Sequence, residues 1–232
     1  HPQASRRRFL QATAGSGLAA LGLAGEAALR PARADWLLGL PPLQDGDLIF
    51  HSSRSFQSAA IMRATGSPIT HMGIIHQTRF GPRVIEAHVV VRELALLHWV
   101  LHGREGAFII RRHPGLRPDQ GQRMVREALS MRGRVYDLMF DMDNRRPYCS
   151  EFAYVLYQRQ GLEIGRLQRL ADLDLSHPEV QSLLERRALH HPKCRGLQDL
   201  EACRQILLDQ PLITPRAILE DPRLITIARQ GI

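Results

Sequence analysis

Residues 145–157 read Arg-Arg-Pro-Tyr-Cys-Ser-Glu-Phe-Ala-Tyr-Val-Leu-Tyr, a turn-forming segment that leads directly into an apolar helical pattern. Phe152 and Leu156 fall on one face at helical spacing, and Pro147 prevents an upstream helix from continuing. We therefore expect Cys149 in the first turn of a buried helix. Unpaired N–H groups and the positive end of the helix dipole favour a thiolate there. Cys149 is thus a candidate nucleophile, although a buried cysteine can also be a small core residue.

The composition is that of a globular protein, with 44% hydrophobic and 23% charged residues among 232. This length suits one domain, with or without appendages. The net charge of +8 falls to +4 once residues 1–34, which hold five arginines and one glutamate, are set aside. The rest of the chain has no lysine- or arginine-rich block, so we expect no nucleic-acid partner.

The N-terminal segment resembles a twin-arginine export signal. Residues 5–10 read Ser-Arg-Arg-Arg-Phe-Leu, a weakly hydrophobic run covers 12–29, and Ala-Arg-Ala at 32–34 is a small-residue cleavage site. We therefore expect residues 1–34 to be removed after Ala34 and the mature protein to be exported, as to a periplasm. The run contains five glycines or serines and one glutamate and is short for a span, so we expect no transmembrane span in the mature chain.

The chain has three cysteines, at 149, 194 and 203. An exported protein meets an oxidising compartment, and Cys194 and Cys203 are close enough in sequence to be a candidate disulfide. That pairing would leave Cys149 as the odd thiol, but the sequence leaves the pairing open. A zinc site that also uses His190 and His191 is less favoured because the spacing matches no recognised pattern. We expect no metal and no cofactor.

The predicted order is strand-rich first and helical later, which favours an α+β fold over alternating βαβ units. The pattern predicts strands at 44–50, 69–76, 83–91 (bent partway) and 106–112, helices at 55–65, 94–102, 117–131 and 149–161, and a short helix and closing strand within 212–228. Residues 165–210 are polar with spaced leucines, and we expect short helices and loops there.

His71 and Glu86 are the candidate partners of the nucleophile, which needs a base and a group that orients the base. Side chains alternate along a strand, so an even-length turn between the two predicted strands puts both residues on one face. A two-residue turn would place Glu86 opposite Gly73, diagonal to His71. His88 shares the face of Glu86 and is the alternative orienting group. His76 has the opposite parity, so we expect no shared metal site among these histidines.

Five short motifs in this order resemble those of the YiiX/YebB-like branch of the NlpC/P60 superfamily, which are circularly permuted papain-like hydrolases with histidine before cysteine. The motifs are at 45–50, 70–74, 84–87, 136–137 and 148–152. The resemblance covers about residues 43–161, and residues 213–215 resemble the C-terminal end of the family. It implies an antiparallel sheet or partial barrel packed against the helix that carries the cysteine.

The resemblance also implies a triad, which maps onto Cys149, His71 and Glu86, and it implies that Tyr136 lies near the site. Tyr148, beside the nucleophile, is a second candidate for shaping the site or binding substrate. Residues 162–210 match nothing in the family pattern. We expect a single domain over 35–232 in which 162–210 is an insertion or a cover.

The predicted function is that of an exported cysteine amidase or peptidase that acts through a thioester. Peptidoglycan stem peptides are the leading substrate, because export places the enzyme beside them and the superfamily often cleaves them. One alternative is a lipid-directed amidase or acyltransferase acting on an acylated small substrate, which an apolar cleft would favour. Another is a non-catalytic envelope binding module. The sequence favours no particular oligomeric state.

Overall fold

The computed structural model describes residues 39–142, 145–188, 190–197 and 199–232. The predicted export signal at 1–34 lies outside the described residues, and export stays a prediction. Among the helices of the described part, none has both the length and the apolar character that crossing a membrane requires.

The predicted α+β class is confirmed, since the strands form one main antiparallel sheet and the longer helices follow it in sequence. In chain order the elements are β1 (Leu48–His51), α1 (Ser58–Thr65), β2 (His71–Thr78), β3 (Gly81–Ala87), β4 (Val91–Ala95), α2 (Leu96–His102), β5 (Phe108–Arg112), α3 (Pro118–Ser130), α4 (Cys149–Arg159), β6 (Gln168–Arg169), α5 (Pro178–Ala188), α6 (Leu200–Leu208), β7 (Pro211–Leu212), α7 (Pro215–Leu219) and β8 (Ile225–Gln230). Short 3-10 turns lie at Arg104–Gly106, Leu170–Asp172 and Pro192–Cys194.

The main sheet has six strands in the order β4-β3-β2-β1-β5-β8, and every pair is antiparallel. Side chains alternate between its two faces. Leu48 of β1 packs in one core with Phe152 of α4 and Met124 of α3. Ile49, the next residue, packs on the other face with Trp99 of α2. The sheet is therefore covered on both faces, with the cysteine helix on one of them.

The β2–β3 hairpin has a two-residue turn, Arg79 and Phe80, between Thr78 and Gly81. Its register pairs Ile74 with Ile85, and continuing that register places Gly73 opposite Glu86, as the parity argument predicts. Gly73 permits close approach of the strands, because a Cβ atom there would lie 2.4 Å from the side chain of Val84.

The prediction of one bent strand over 83–91 is wrong. β3 ends at Ala87, residues 88–90 form a turn in which His88 N–H donates to the Val90 carbonyl at 3.2 Å, and β4 then pairs antiparallel with β3. The run of valines at 89–91 has high strand propensity, which hides the turn. The second strand matters for function because it places Arg92 opposite Glu86.

The described part of 162–210 lies against the helices beside the cysteine. Val180 of α5 packs on Ala60 of α1. Cys194 and Cys203 form a disulfide with their Cα atoms 5.1 Å apart, which ties the turn at Pro192–Cys194 to α6. We name residues 162–210 the covering segment after this position, and whether the segment is an insertion or a cover stays a prediction.

Candidate active site

Cys149 is the first residue of α4 and is 3% exposed. Glu151 anchors the helix start, because its Oε2 accepts from the Tyr148 N–H at 3.1 Å. The backbone of Ile213 also hydrogen-bonds the first turn of α4. Ser150 Oγ donates to the Ile213 carbonyl at 2.8 Å, and the Ile213 N–H donates to the Tyr148 hydroxyl at 2.9 Å. The nucleophile candidate is thus fixed at a helix N-terminus by partners far away in sequence.

The structure brings His71, Glu86 and Cys149 together. Nε2 of His71 lies 2.6 Å from Oε2 of Glu86, and His71 and Cys149 are close enough that each shifts the pKa of the other. Since Nε2 faces the carboxylate, Nδ1 is the nitrogen that serves Cys149. All three side chains are buried. The structure thus brings the three predicted site residues together in the arrangement that a nucleophile, its base and an orienting group would require.

The charges in this group favour an imidazolium–thiolate pair. Burial acts to raise the pKa of Cys149, but the hydrogen bond and charge of His71 outweigh it and the pKa is lowered. Burial acts to lower the pKa of His71, but the hydrogen bonds to Cys149 and Glu86 outweigh it and raise the pKa to about 10. The pKa of Glu86 falls below its usual range, because His71 and Arg92 overcome the effect of burial. These shifts all favour the ionised forms, that is, a thiolate, an imidazolium and a carboxylate in contact.

Two residues that sequence reasoning missed hold the Glu86 carboxylate. Arg92 Nε donates to Oε1 at 2.7 Å, and Trp99 Nε1 donates to Oε2 at 2.7 Å. Arg92 could have been found only by recognising the turn at 88–90 and hence the Glu86–Arg92 pairing. Trp99 lies on α2 and reaches Glu86 through packing, which leaves no local signal in the sequence.

Two further histidines surround His71 without taking the place of Glu86. His51 is opposite His71 in the β1–β2 register and stacks on Trp99, with ring centroids 3.8 Å apart. Burial and the charge of His71 lower its pKa well below the ordinary value, so it stays neutral. His88 presents its ring at a right angle to His71, with centroids 5.6 Å apart. In the structure the residue that contacts Nε2 of His71 is Glu86 and not His88.

Tyr136 lies beside the nucleophile, where the family resemblance places it. Its hydroxyl donates to the Cys149 sulfur over 3.9 Å and receives a hydrogen bond from Nε2 of Gln57 at 3.4 Å. Burial, together with the negative charge of Cys149, raises the pKa of Tyr136 well above its ordinary value. Tyr136 is therefore a protonated donor. Sequence reasoning did not single out Gln57.

An apolar cavity of about 60 Å³ opens beside Cys149. Tyr136 and Tyr148 form part of its wall, so both predicted site-shaping residues line it. The other walls come from α1, from the Ile213 segment and from residues 162–210. The apolar side chains of the wall include Ile61, Phe140, Leu170, Leu173, Val180, Leu183, Leu184 and Ile213. The segment at 162–210 thus supplies much of the surface that a substrate would touch.

A second, larger cavity of about 830 Å³ lies on the far side of a shared wall formed by Ala64, Thr65, Leu173 and Thr214. Its lining includes arginines and carboxylates and contains no triad residue. Cys149 therefore opens onto the small apolar cavity, while the larger cavity next to it has several charged residues in its lining.

Comparison with known proteins agrees with this geometry. The sequence profile of the family described as "Permuted papain-like amidase enzyme, YaeF/YiiX, C92 family" matches residues 42–228. The chain is 34% identical over 189 residues, or 81% of its length, to the protein named "Uncharacterized protein YiiX" of Escherichia coli K12, and the match covers 87% of that protein. The crystal structure titled "metalloprotein yiiX" from Escherichia coli O157:H7 superposes with a TM-score of 0.70 at 34% identity, over 81% of this chain and 97% of that one. The chain therefore belongs to the YaeF/YiiX family of permuted papain-like amidases.

Proposed function

We propose that this protein is a cysteine amidase that cleaves its substrate through a thioester. The observation that carries the proposal is the buried contact of Cys149 with His71, whose other ring nitrogen is held by Glu86. Membership of an amidase family supports the reaction class. A purely binding module would have no use for an activated thiolate, so the second alternative from the sequence, a non-catalytic binding module, is disfavoured.

The proposed order of steps follows from the proton that His71 carries at Nδ1. The Cys149 thiolate attacks the amide carbonyl carbon, and the oxyanion that forms is stabilised by unpaired N–H groups at the start of α4, including that of Cys149. Nδ1–H of His71 then protonates the leaving nitrogen, the C–N bond breaks, and a thioester remains. Neutral His71 next accepts a proton from water, which attacks the thioester and releases the acid. Glu86 keeps the ring oriented and stabilises its charged form.

The apolar cavity favours an acylated substrate over a peptidoglycan stem peptide. Stem peptides carry several charged and polar groups, whose burial against leucine and isoleucine side chains would be costly. An acyl chain gains free energy on entering the same space. We therefore propose that the scissile amide carries an apolar acyl group, which makes the lipid-directed reading the leading one. Transfer of the acyl group to an acceptor other than water would follow the same first half-reaction.

The E. coli relative is titled a metalloprotein, which raises the question whether this site suits a metal. Within residues 39–142, 145–188, 190–197 and 199–232, no group of three or more His, Cys, Asp or Glu side chains is arranged to hold a metal ion. Nδ1 of His76, on the same strand as His71, lies 2.6 Å from Oε1 of Glu93 instead. The described residues do not fit a metal centre, and the proposed steps use none.

The proposal is tested by incubating the protein with amides that carry short, medium and long acyl chains, and in parallel with muropeptides, and identifying the products by mass. We expect hydrolysis of the acyl amides to increase with chain length until the cavity is filled, and C149A to release nothing. Cleavage of muropeptides alone would reject the acyl substrate but keep the thioester mechanism. Equal turnover by C149A would reject the mechanism itself.

A further inference from the structure

Arg187 of α5 is a buried cation beside the active site. Its side chain belongs to the covering segment, the residue is 8% exposed, and it lines the apolar cavity together with Cys149. Its guanidinium lies 4.0 Å over the ring of Phe140, and its NH2 group donates to Oε1 of Gln57 at 2.8 Å. In the described part of the chain it forms no salt bridge with a carboxylate. The carboxylate of Asp137 acts on Arg187 only through its field, and a buried charge without a close ionic partner is costly, which makes Arg187 a candidate for a role in the site.

The bond from Arg187 fixes the orientation of the Gln57 amide. The oxygen and nitrogen of a glutamine side chain must be assigned from their partners, since they look alike. A guanidinium can only donate, so the atom that faces Arg187 must be the oxygen. The amide nitrogen of Gln57 therefore faces the Tyr136 hydroxyl, 3.4 Å away.

The order of hydrogen-bond donors and acceptors that Arg187 sets then extends to Cys149. An amide N–H can only donate, so the oxygen of Tyr136 accepts from Gln57. The hydroxyl hydrogen of Tyr136 is consequently free to point to the Cys149 sulfur, 3.9 Å away. A thiolate can only accept, which completes a chain of donors running from Arg187 through Gln57 and Tyr136 to Cys149.

We propose that Arg187 and Gln57 are positioning residues for the reaction, which act on Cys149 by fixing the Tyr136 hydroxyl as a donor to its sulfur. The covering segment would then set the reactivity of the nucleophile as well as the shape of the cavity. The inference rests on the proposed function in one respect, the role of Cys149 as nucleophile. The further inference is that Arg187, 38 positions after Cys149 in the sequence, stabilises the thiolate form of Cys149.

Gln57→Glu is the decisive variant, because it has nearly the same shape but cannot donate. The carboxylate gains a salt bridge with Arg187, so the fold is retained, while the Tyr136 hydroxyl must now donate to residue 57 and turns away from Cys149. Arg187→Met removes the first donor and keeps an apolar side chain of similar length. Arg186→Met is the matched control, since Arg186 is exposed on the same helix and bonds Ser182 instead.

The readout is the rate of Cys149 alkylation by a neutral reagent as a function of pH, with circular dichroism as a check on folding. We expect Gln57→Glu to move the midpoint of alkylation to higher pH by about one unit, a tenfold loss of thiolate at a fixed lower pH. Arg187→Met should give a smaller shift in the same direction, and Arg186→Met none. In a Tyr136→Phe background, Gln57→Glu should add little, because the hydroxyl through which it acts is gone.

Two results would overturn the relay. One is a folded Gln57→Glu protein with the wild-type alkylation profile. The other is a Gln57→Glu effect of full size in the Tyr136→Phe background, which would mean that the new charge acts directly on the sulfur. Because alkylation does not depend on turnover, the relay and the proposed function fail separately. A wild-type protein that hydrolyses nothing, yet shows the predicted shifts, would reject only the function.

Discussion

The indole N–H of Trp99 donates to Oε2 of Glu86 at 2.7 Å, the same oxygen that lies 2.6 Å from Nε2 of His71. Arg92 occupies the other carboxylate oxygen. The Glu86 carboxylate is therefore held by donors on both sides and cannot rotate away from the imidazole. A rigid acceptor keeps the His71 ring in the orientation that leaves Nδ1 for Cys149.

Replacing Trp99 with phenylalanine should lower kcat about tenfold, the usual effect of losing a partner of a catalytic group. The change removes the N–H donor to Glu86 and leaves a ring for His51 to stack on. KM should change little, because Trp99 does not line the apolar cavity. Steady-state kinetics with an acyl amide measure both, and the melting temperature separates loss of fold from loss of orientation. Leu101→Ala on the exposed face of α2 is the control, and an unchanged kcat in Trp99→Phe would contradict the role of the indole.

Cys149→Ala should abolish turnover while leaving the fold intact, since it removes the thiol on which the proposed thioester forms. Rapid quenching of the wild-type protein with excess substrate should show an added acyl mass on the peptide that contains residue 149. Neither Cys194 nor Cys203 should carry that mass, because they form a disulfide. An acyl group found elsewhere in the chain would rule out Cys149 as the nucleophile.

The pH profile of Cys149 alkylation should reflect the ion pair with His71. The lowered pKa of Cys149 predicts rapid alkylation well below the range of a free thiol, which is about 8.5. The raised pKa of His71 predicts that the imidazolium persists until the pH approaches about 10, so turnover should fall there as the proton donor is lost. The stabilising contribution of His71 is complete below its ordinary pKa of 6.5 and is lost as the pH rises through about 10. A titration with an ordinary thiol midpoint would exclude the pair.

Glu86→Gln should destabilise the fold by about 3 to 5 kcal/mol near neutral pH, because it leaves the buried His71 without its carboxylate and also removes the partner of the partly exposed Arg92. The folded pKa of Glu86 lies below its ordinary value of 4.5. Its contribution is therefore present above that ordinary value and is lost as the pH falls through the folded pKa. Urea unfolding at several pH values should show that the difference in the free energy of unfolding between wild type and variant becomes smaller in acid. Glu179→Gln, at an exposed position of α5, is the control, and its free energy of unfolding should equal that of the wild type at every pH.

Replacing Cys194 and Cys203 together with serine should loosen the covering segment locally. Closing a loop of this size contributes about 2 to 3 kcal/mol, and both sulfurs belong to a small cluster with Leu207. Hydrogen exchange should become faster in α6 and in the turn at Pro192–Cys194, while the β2–β3 hairpin should keep its protection. Uniform acceleration across the whole chain would indicate that the disulfide supports the entire domain instead.

The parts of the site that the sequence revealed depend on local rules. A proline before an apolar helical pattern places Cys149 at a helix start, and strand parity with a two-residue turn places His71 and Glu86 together. The parts that were missed depend on packing between distant segments. Arg187 contacts Gln57, which is 130 positions away in the sequence, and no local sequence pattern predicts such a contact. The prediction of a stem-peptide substrate likewise rests on export and on the family resemblance, and it takes no account of the apolar cavity, whose walls meet only in the folded chain.

The contacts of Ile213 with Tyr148 and Ser150 have a consequence for the order in which the enzyme becomes competent during synthesis. A chain translated only as far as residue 210 already contains Cys149, His71 and Glu86, but lacks the segment that grips the first turn of α4. It also lacks β8, the strand that completes the sheet beside β5. A nascent chain of that length would therefore carry the three residues of the proposed triad while the start of α4 still lacks its contacts with Ile213, so we expect reactivity to arise only after this segment has been added.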